Sequence, residues 1–155
     1  MKTIAVTAIA ILMIPYFVVF NLRWLGITGA IFSDSEPPGL YREVHVPIER
    51  GAMVQMRQLM KHVAAVPGDT VCATPMGSFV NHRLWPNSDI PTDAKYPHYP
   101  YGCYKLAAGQ YWILGSHPLS YDSRYLGMIP WDLIDGAVKP FWTKSNGYAP
   151  GTWPW

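Results

Sequence analysis

The chain has 155 residues, half of them apolar and 14% charged, which excludes an intrinsically disordered protein. The formal net charge of +2 comes from scattered residues, so we expect no nucleic-acid partner. Fifteen prolines and thirteen glycines favour short strands and turns over a helical bundle.

The N-terminal segment is apolar. Residues 3–20 carry no charge, and as a helix these 18 residues would span about 27 Å, close to the bilayer core of about 30 Å. The alternative is a cleaved secretory signal peptide, because Lys2 provides a short positive region. No A-x-A-like cleavage site follows the stretch. We therefore predict a membrane anchor at residues 1–23 and an exported domain at residues 24–155.

The exported part is predicted to be a mostly β, antiparallel domain on a single N-terminal transmembrane helix. Short runs rich in β-branched and aromatic residues recur between Gly, Pro, Asn and Asp. These runs lie at residues 43–47, 70–73, 78–80, 110–114 and 136–142. Residues 51–60 have a helix-compatible composition. Residues 85–102, which are rich in aromatics, are predicted to form an ordered loop or a β-hairpin excursion.

Three segments contain candidate catalytic chemistry. The first is SDSEPPG at residues 33–39, where Ser35 is a candidate nucleophile; a polar linker is the alternative. The second is MKHVAAVPGD at residues 60–69. A lysine buried among its apolar side chains would have a lowered pKa and would act as a neutral base, whereas a surface lysine at a strand start is the alternative for Lys61.

The third segment is GSHPLSYDSRYLG at residues 115–127. Asp122 and Arg124 are two residues apart, so an extended segment would place both on one face. A partly buried ion pair there would fix the loop that contains Ser120. The alternative is a solvated turn whose ion pair contributes little to stability.

In this order, the three segments resemble the type I signal peptidases, serine peptidase family S26. The SEPPGLY form at residues 35–41 is more similar to the TraF-type branch that acts in conjugative transfer. The resemblance extends from the anchor to about residue 140. It implies that Ser35 is the nucleophile, that Lys61 is the general base, and that Ser33 with the backbone N–H of Ser35 forms the oxyanion hole. It also implies three supporting residues: Ser120, Asp122 and Arg124.

Three positions depart from the family pattern. Glu36 replaces the usual methionine after the nucleophile, and His62 replaces the usual arginine after the base. The segment at residues 115–120 is one residue shorter than its family counterpart. The first departure matches the looser pattern of the conjugative branch and disfavours general preprotein processing.

The resemblance implies a membrane-bound serine endopeptidase that processes an exported precursor, the expected substrate being a conjugative pilin subunit. Cyclisation would follow if the N-terminus of the peptide resolved the acyl-enzyme. The alternatives are a non-catalytic, peptidase-like pilus-assembly factor and a general signal peptidase. The expected partners are membrane lipid and other proteins of the conjugation apparatus. We expect no cofactor, and a location in the bacterial inner membrane with the catalytic domain in the periplasm.

Two rival sites are disfavoured. A Ser-His-Asp triad of Ser120, His117 and Asp122 would crowd three members into six residues. A metal site is also disfavoured, because the five histidines show neither i, i+4 pairing nor a neighbouring Cys-x-x-Cys.

Two further features bear on the exported domain. Cys72 and Cys103 are the two cysteines, and an oxidising periplasm favours a disulfide between them over two buried thiols. The tryptophan-rich tail at residues 142–155 is interpreted either as ordinary packing or as a contact with the bilayer interface.

Overall fold

The computed structural model describes residues 21, 24, 26–31, 35–57 and 59–144. Within these residues, eleven strands form two antiparallel sheets, as the recurring β-branched runs predict. The strands are β1 Ile27–Ile31, β2 Gly39–Val44, β3 Met53–Met56, β4 Leu59–Ala65, β5 Thr70–Thr74, β6 Gly77–Val80, β7 Arg83–Leu84, β8 Gly102–Lys105, β9 Gln110–Leu114, β10 Ile129–Pro130 and β11 Gly136–Thr143. Helix α1 at Ser123–Leu126 and a 3-10 turn at Trp131–Leu133 lie between the later strands.

The larger sheet has the strand order β1-β2-β11-β3-β4-β9-β10, and the smaller has the order β7-β6-β5-β8. Strand β4 lies inside the larger sheet, between β3 and β9. All of its residues from Met60 to Ala65 are buried. The apolar residues on either side of Lys61 and His62 therefore bring both polar side chains into the interior.

The hydrophobic core covers both faces of β4. One cluster includes Ala64 and Ala65 with Trp85 and Trp112, and it joins the larger sheet to the smaller one. A second cluster is built around Val63. Because β4 is enclosed on both sides, it provides a rigid base for the side chains that it carries.

The helix-compatible interpretation of residues 51–60 was wrong. Strands β3 and β4 form a hairpin there, with Val54 opposite Lys61 and a turn at Arg57, whose φ is 55°. Sheet pairing decides the outcome, because β3 is hydrogen-bonded to β11 on one side and to β4 on the other. The aromatic stretch that begins at Trp85 contains turns and bends up to β8, and no strand among its described residues.

Several predictions lie outside the described residues. The apolar segment at residues 3–20, Ser33 and the tail at residues 145–155 belong to this group. Among the helices of the described chain, none has the length and apolar character to cross a bilayer.

Candidate active site

Lys61 and Ser35 meet across 26 positions of sequence. Lys61 Nζ donates to Ser35 Oγ at 2.9 Å. Lys61 extends from the centre of β4, and Ser35 lies in the turn that precedes β2. The structure thus joins the predicted nucleophile and the predicted base directly.

Burial changes the acid–base properties of Lys61, whose side chain is 2% exposed. The loss of hydration lowers the pKa of the Lys61 ammonium below its usual value of 10.5. The negative charges of Glu36 and Asp122 oppose this shift, and the positive charge of Arg124 adds to it. Desolvation is the largest of these effects, so the neutral amine forms more readily at this site than in water.

The backbone of Ser35 is fixed by the loop after β9. The Ser35 carbonyl accepts from the backbone N–H groups of Ser116 and His117 at 3.1 and 3.4 Å, and from Ser116 Oγ at 3.1 Å. The Ser116 carbonyl in turn accepts from Asn87 Nδ2 at 3.1 Å. Sequence reasoning missed Ser116. Its position beside Gly115, at the start of the third segment, was the available signal.

Two further residues missed as site residues are the immediate neighbours of the pair. Glu36 is fully buried, and its Oε1 accepts from the Ser116 N–H at 3.1 Å. Glu36 Oε2 lies 3.4 Å from His62 Nε2. Both residues were noticed as departures from the family pattern, but nothing in the sequence showed that they meet.

Asp122 and Arg124 form a buried, bidentate ion pair. Arg124 Nε donates to Asp122 Oδ1 at 2.9 Å, and Arg124 Nη2 donates to Oδ2 at 2.8 Å. Both side chains are at most 1% exposed. The remaining Arg124 donors bond five backbone carbonyls, those of Asn87, Asp89, His117, Pro118 and Ser120.

The local backbone around this pair differs from the prediction. Asp122 is extended, as expected, but it is the N-cap of α1, and Arg124 lies inside that helix. The pair forms because the Asp122 carboxylate bonds the Arg124 N–H as a helix cap while it accepts from the guanidinium. The solvated-turn alternative was wrong, because both side chains are buried.

Ser120 packs against Gly115. A Cβ at Gly115 would lie 2.0 Å from Ser120 Oγ and 3.2 Å from the Ser35 carbonyl oxygen, so only glycine fits there. The buried Ser120 hydroxyl makes no hydrogen bond to the described residues. Its role in orienting Lys61 therefore remains a prediction.

The rival triad has no geometric basis. His117 Nδ1 accepts from the Leu119 N–H at 3.0 Å, and the Asp122 carboxylate is occupied by Arg124 and by the Gly115 N–H. Among the described residues, no group of three or more His, Cys, Asp and Glu side chains could hold a metal ion.

The two cysteines are joined. Cys72 on β5 lies opposite Cys103 on β8, and a disulfide connects them. It ties together two strands of the smaller sheet, on the opposite side of the inter-sheet core from the hairpin that carries Lys61.

Comparison with known proteins decides the family. The family model described as "Signal peptidase, peptidase S26" matches residues 1–142, which is most of the chain. The chain belongs to the S26 signal peptidase family. The resemblance inferred from the three segments is thereby confirmed, and so is the antiparallel β class of the domain.

Two known proteins are similar to this chain in sequence, over different shares of their lengths. The plasmid transfer protein TraF of Escherichia coli is 26% identical, over 72% of this chain and 80% of that protein. A probable signal peptidase I-2 of Synechocystis is 34% identical, over 54% of this chain and 38% of that protein. A crystal structure of a signal peptidase I from Enterococcus faecalis aligns with a TM-score of 0.39 at 18% identity, covering 61% of this chain and 97% of that one. The S26 assignment rests on the family model.

Proposed function

We propose that this S26 family member is a serine endopeptidase with Ser35 as nucleophile and Lys61 as general base. The observation that supports the proposal is the 2.9 Å contact between Lys61 Nζ and Ser35 Oγ, made by a lysine that is 2% exposed. A nucleophile within hydrogen-bond reach of a buried base is the arrangement that covalent peptidase catalysis requires.

The reaction begins when neutral Lys61 accepts the proton of Ser35 and the serine oxygen attacks the scissile carbonyl. The C–N bond then breaks, protonated Lys61 gives its proton to the leaving amine, and an acyl-enzyme remains on Ser35. Water restores the serine by hydrolysis, whereas the N-terminus of the peptide would yield a cyclic product. The backbone N–H of Ser35 and the hydroxyl of Ser33 are the proposed oxyanion donors, each of which would contribute about 10²–10³-fold in rate.

The supporting residues hold this geometry. Arg124 binds backbone carbonyls of two loops and pairs with Asp122, which also accepts from the Gly115 N–H at 2.7 Å. The carbonyls are those of Asn87, Asp89, His117, Pro118 and Ser120. The same loop binds the Ser35 carbonyl through Ser116. The ion pair therefore places the backbone that holds the nucleophile.

The proposed substrate is an exported precursor, specifically the pilin subunit of a conjugative apparatus. The similarity to a plasmid transfer protein supports this choice. The proposed organisation is a membrane anchor at residues 1–23 and a peptidase domain at residues 24–155 on the periplasmic side of the bacterial inner membrane. The uncharged stretch at residues 3–20 and the disulfide support that placement.

The test is co-expression of the full chain with a pilin precursor, followed by mass spectrometry of the product. Ser35→Ala and Lys61→Ala should each abolish maturation, while the matched exposed controls Thr92→Ala and Lys105→Ala should retain it. The product mass separates hydrolysis from cyclisation, which differ by one water. Normal maturation by both site variants would refute the peptidase and leave the assembly factor. Processing of unrelated preproteins would favour the general signal peptidase.

A further inference from the structure

The residues that directly follow Ser35 and Lys61 in sequence contact each other inside the protein. Glu36 is 0% exposed and His62 is 6% exposed, and Glu36 Oε2 lies 3.4 Å from His62 Nε2. His62 is flanked on β4 by Met53 of β3 and Leu114 of β9. A carboxylate in such apolar surroundings requires a compensating charge or hydrogen-bond donors.

The hydrogen-bonding geometry indicates which partner compensates the carboxylate. Glu36 Oε1 accepts from the Ser116 N–H, which leaves Oε2 facing His62. The other ring nitrogen of His62, Nδ1, lies 3.4 Å from the Gly51 carbonyl oxygen. Both ring nitrogens thus face acceptors, and an imidazolium can donate on both sides whereas a neutral imidazole donates on one.

We propose that Glu36 and His62 form a buried carboxylate–imidazolium pair that fixes the Ser35 segment on β4 and cancels the negative charge beside Lys61. Both are positioning residues, since neither takes part in bond making. The catalytic consequence rests on the proposed Ser35–Lys61 mechanism. The existence of the pair does not.

The charge state of the pair affects Lys61. The charged groups that act on Lys61 are Glu36, Asp122 and Arg124, and Arg124 already neutralises Asp122. Glu36 is the remaining carboxylate, and its charge raises the pKa of Lys61. An imidazolium at His62 would offset that effect and keep the amine available as a base.

Two other groups face the pair. Burial, together with the negative charge of the nearby Glu36, raises the pKa of the Tyr41 phenol to about 12, so that this group stays neutral. Tyr41 also donates to the Pro37 carbonyl at 2.6 Å. Lys139 lines the same cavity of about 310 Å³ as His62, but it is exposed.

The first test is the pH dependence of kcat/KM for cleavage of an internally quenched peptide with an Ala-x-Ala site by the full chain in detergent. His62→Gln leaves the Glu36 charge uncompensated, and that charge raises the pKa of Lys61. The acidic limb of the kcat/KM profile should therefore move to higher pH by about one unit or more. Glu36→Gln removes the carboxylate and with it the second proton of His62, so the limb should stay close to that of the parent protein. The double variant Glu36→Gln/His62→Gln removes a neutral pair and should return the limb towards that of the parent protein.

A merely structural role would lower kcat without a shift that appears in His62→Gln and disappears when Glu36→Gln is added. The matched controls are the exposed residues Glu49→Gln and His45→Gln, which should leave the profile unchanged. An unshifted limb in His62→Gln, or a double variant that keeps the shift of His62→Gln, would overturn the proposal.

The second test does not depend on catalysis. In the full chain with ¹⁵N-labelled histidine, the His62 ring, assigned by comparison with His62→Gln, should show two protonated nitrogens at pH 7. In Glu36→Gln it should show the signals of a neutral ring. A neutral His62 ring in the parent protein refutes the pair, even if cleavage depends on Ser35. Conversely, an imidazolium in a chain without Ser35-dependent cleavage refutes the peptidase mechanism and leaves the pair.

Discussion

Lys61 Nζ lies 2.9 Å from Ser35 Oγ, although the lysine belongs to the interior of a sheet and the serine to a turn. Two constraints maintain the contact. Ser116 Oγ donates to the Ser35 carbonyl and fixes the turn, and the pairing of β4 with β3 fixes the backbone of Lys61. The burial that lowers the pKa of Lys61, as the proposed base role requires, also costs folding free energy, and this opposition can be measured.

Lys61→Met should abolish cleavage and raise the stability of the domain at neutral pH. The pKa of Lys61 is lowered in the folded state, so the unfolded chain binds more protons between that lowered value and 10.5, and stability rises with pH in this window. Each unit by which folding lowers the pKa of Lys61 costs the parent protein about 1.4 kcal/mol of folding free energy, and a methionine at this position does not have that cost. Urea unfolding from pH 7 to 10 should show that the difference in unfolding free energy between Lys61→Met and the parent protein becomes smaller as pH rises.

The control for this series is the exposed Lys105→Met, whose stability should follow the parent protein at every pH. A Lys61→Met variant that is less stable than the parent at pH 7, or a gap independent of pH, would show that the buried amine carries no desolvation cost.

Arg124→Lys should destabilise the domain by roughly 3–5 kcal/mol, because a lysine cannot reproduce the fork that binds Asp122 and five carbonyls, and the carboxylate would remain buried with a poor partner. Cleavage should fall with it, since the same loops hold the Ser35 carbonyl. Denaturant unfolding and kcat measure the two effects. The exposed Arg42→Lys is the matched control, and equal behaviour of the two variants would contradict the role of Arg124.

Gly115→Ala should lower both stability and kcat. The new Cβ would overlap Ser120 Oγ and Cβ at 2.0 and 2.4 Å and press on the Ser35 carbonyl oxygen. Such overpacking typically costs about 1–3 kcal/mol. Adding Ser120→Gly removes the overlapping atoms and should restore much of the stability.

Gly136→Ala is the control for the Gly115 series, because its nearest contact, Glu43 Oε1 at 3.5 Å, is an ordinary one. If Gly115→Ala, like Gly136→Ala, unfolds at the same urea concentration as the parent protein, the close approach of Ser120 to Gly115 is not required for stability.

Cys72→Ser/Cys103→Ser should lower the free energy of unfolding by roughly 2–5 kcal/mol, since the disulfide closes a loop of 31 residues in the unfolded chain. The cross-link lies in the smaller sheet, away from Lys61, so kcat at a temperature where the domain stays folded should change little. Thermal unfolding with and without reductant measures the first effect. A large loss of kcat in fully folded variant protein would show that the smaller sheet shapes the site.

The sequence alone predicts those features that depend on local pattern. The alternating and β-branched runs locate β5, β6, β9 and β11 within a few residues. The helix-compatible stretch failed because residues 51–60 lie between two partner strands, and their pairing overrides a weak local preference. Pairings of this kind join positions that are far apart in sequence, and no local pattern encodes them.

The candidate site shows the same division. Ser35, Lys61, Asp122 and Arg124 were recognisable from motifs. The contacts of Glu36 with His62 and with Ser116 were not, because they depend on the approach of segments 26 and 80 residues apart. The available hint was that the two departures from the family pattern directly follow the nucleophile and the base.

The position of β11 has a consequence for the order of folding. This strand, Gly136–Thr143, is inserted between β2 and β3, so the sheet that bears Lys61 stays divided until a stretch about a hundred residues downstream of Ser35 has arrived. Pairings of such long range make folding slow. Until that stretch is paired, the folding chain would therefore contain Ser35 and Lys61 without the complete sheet that joins their segments.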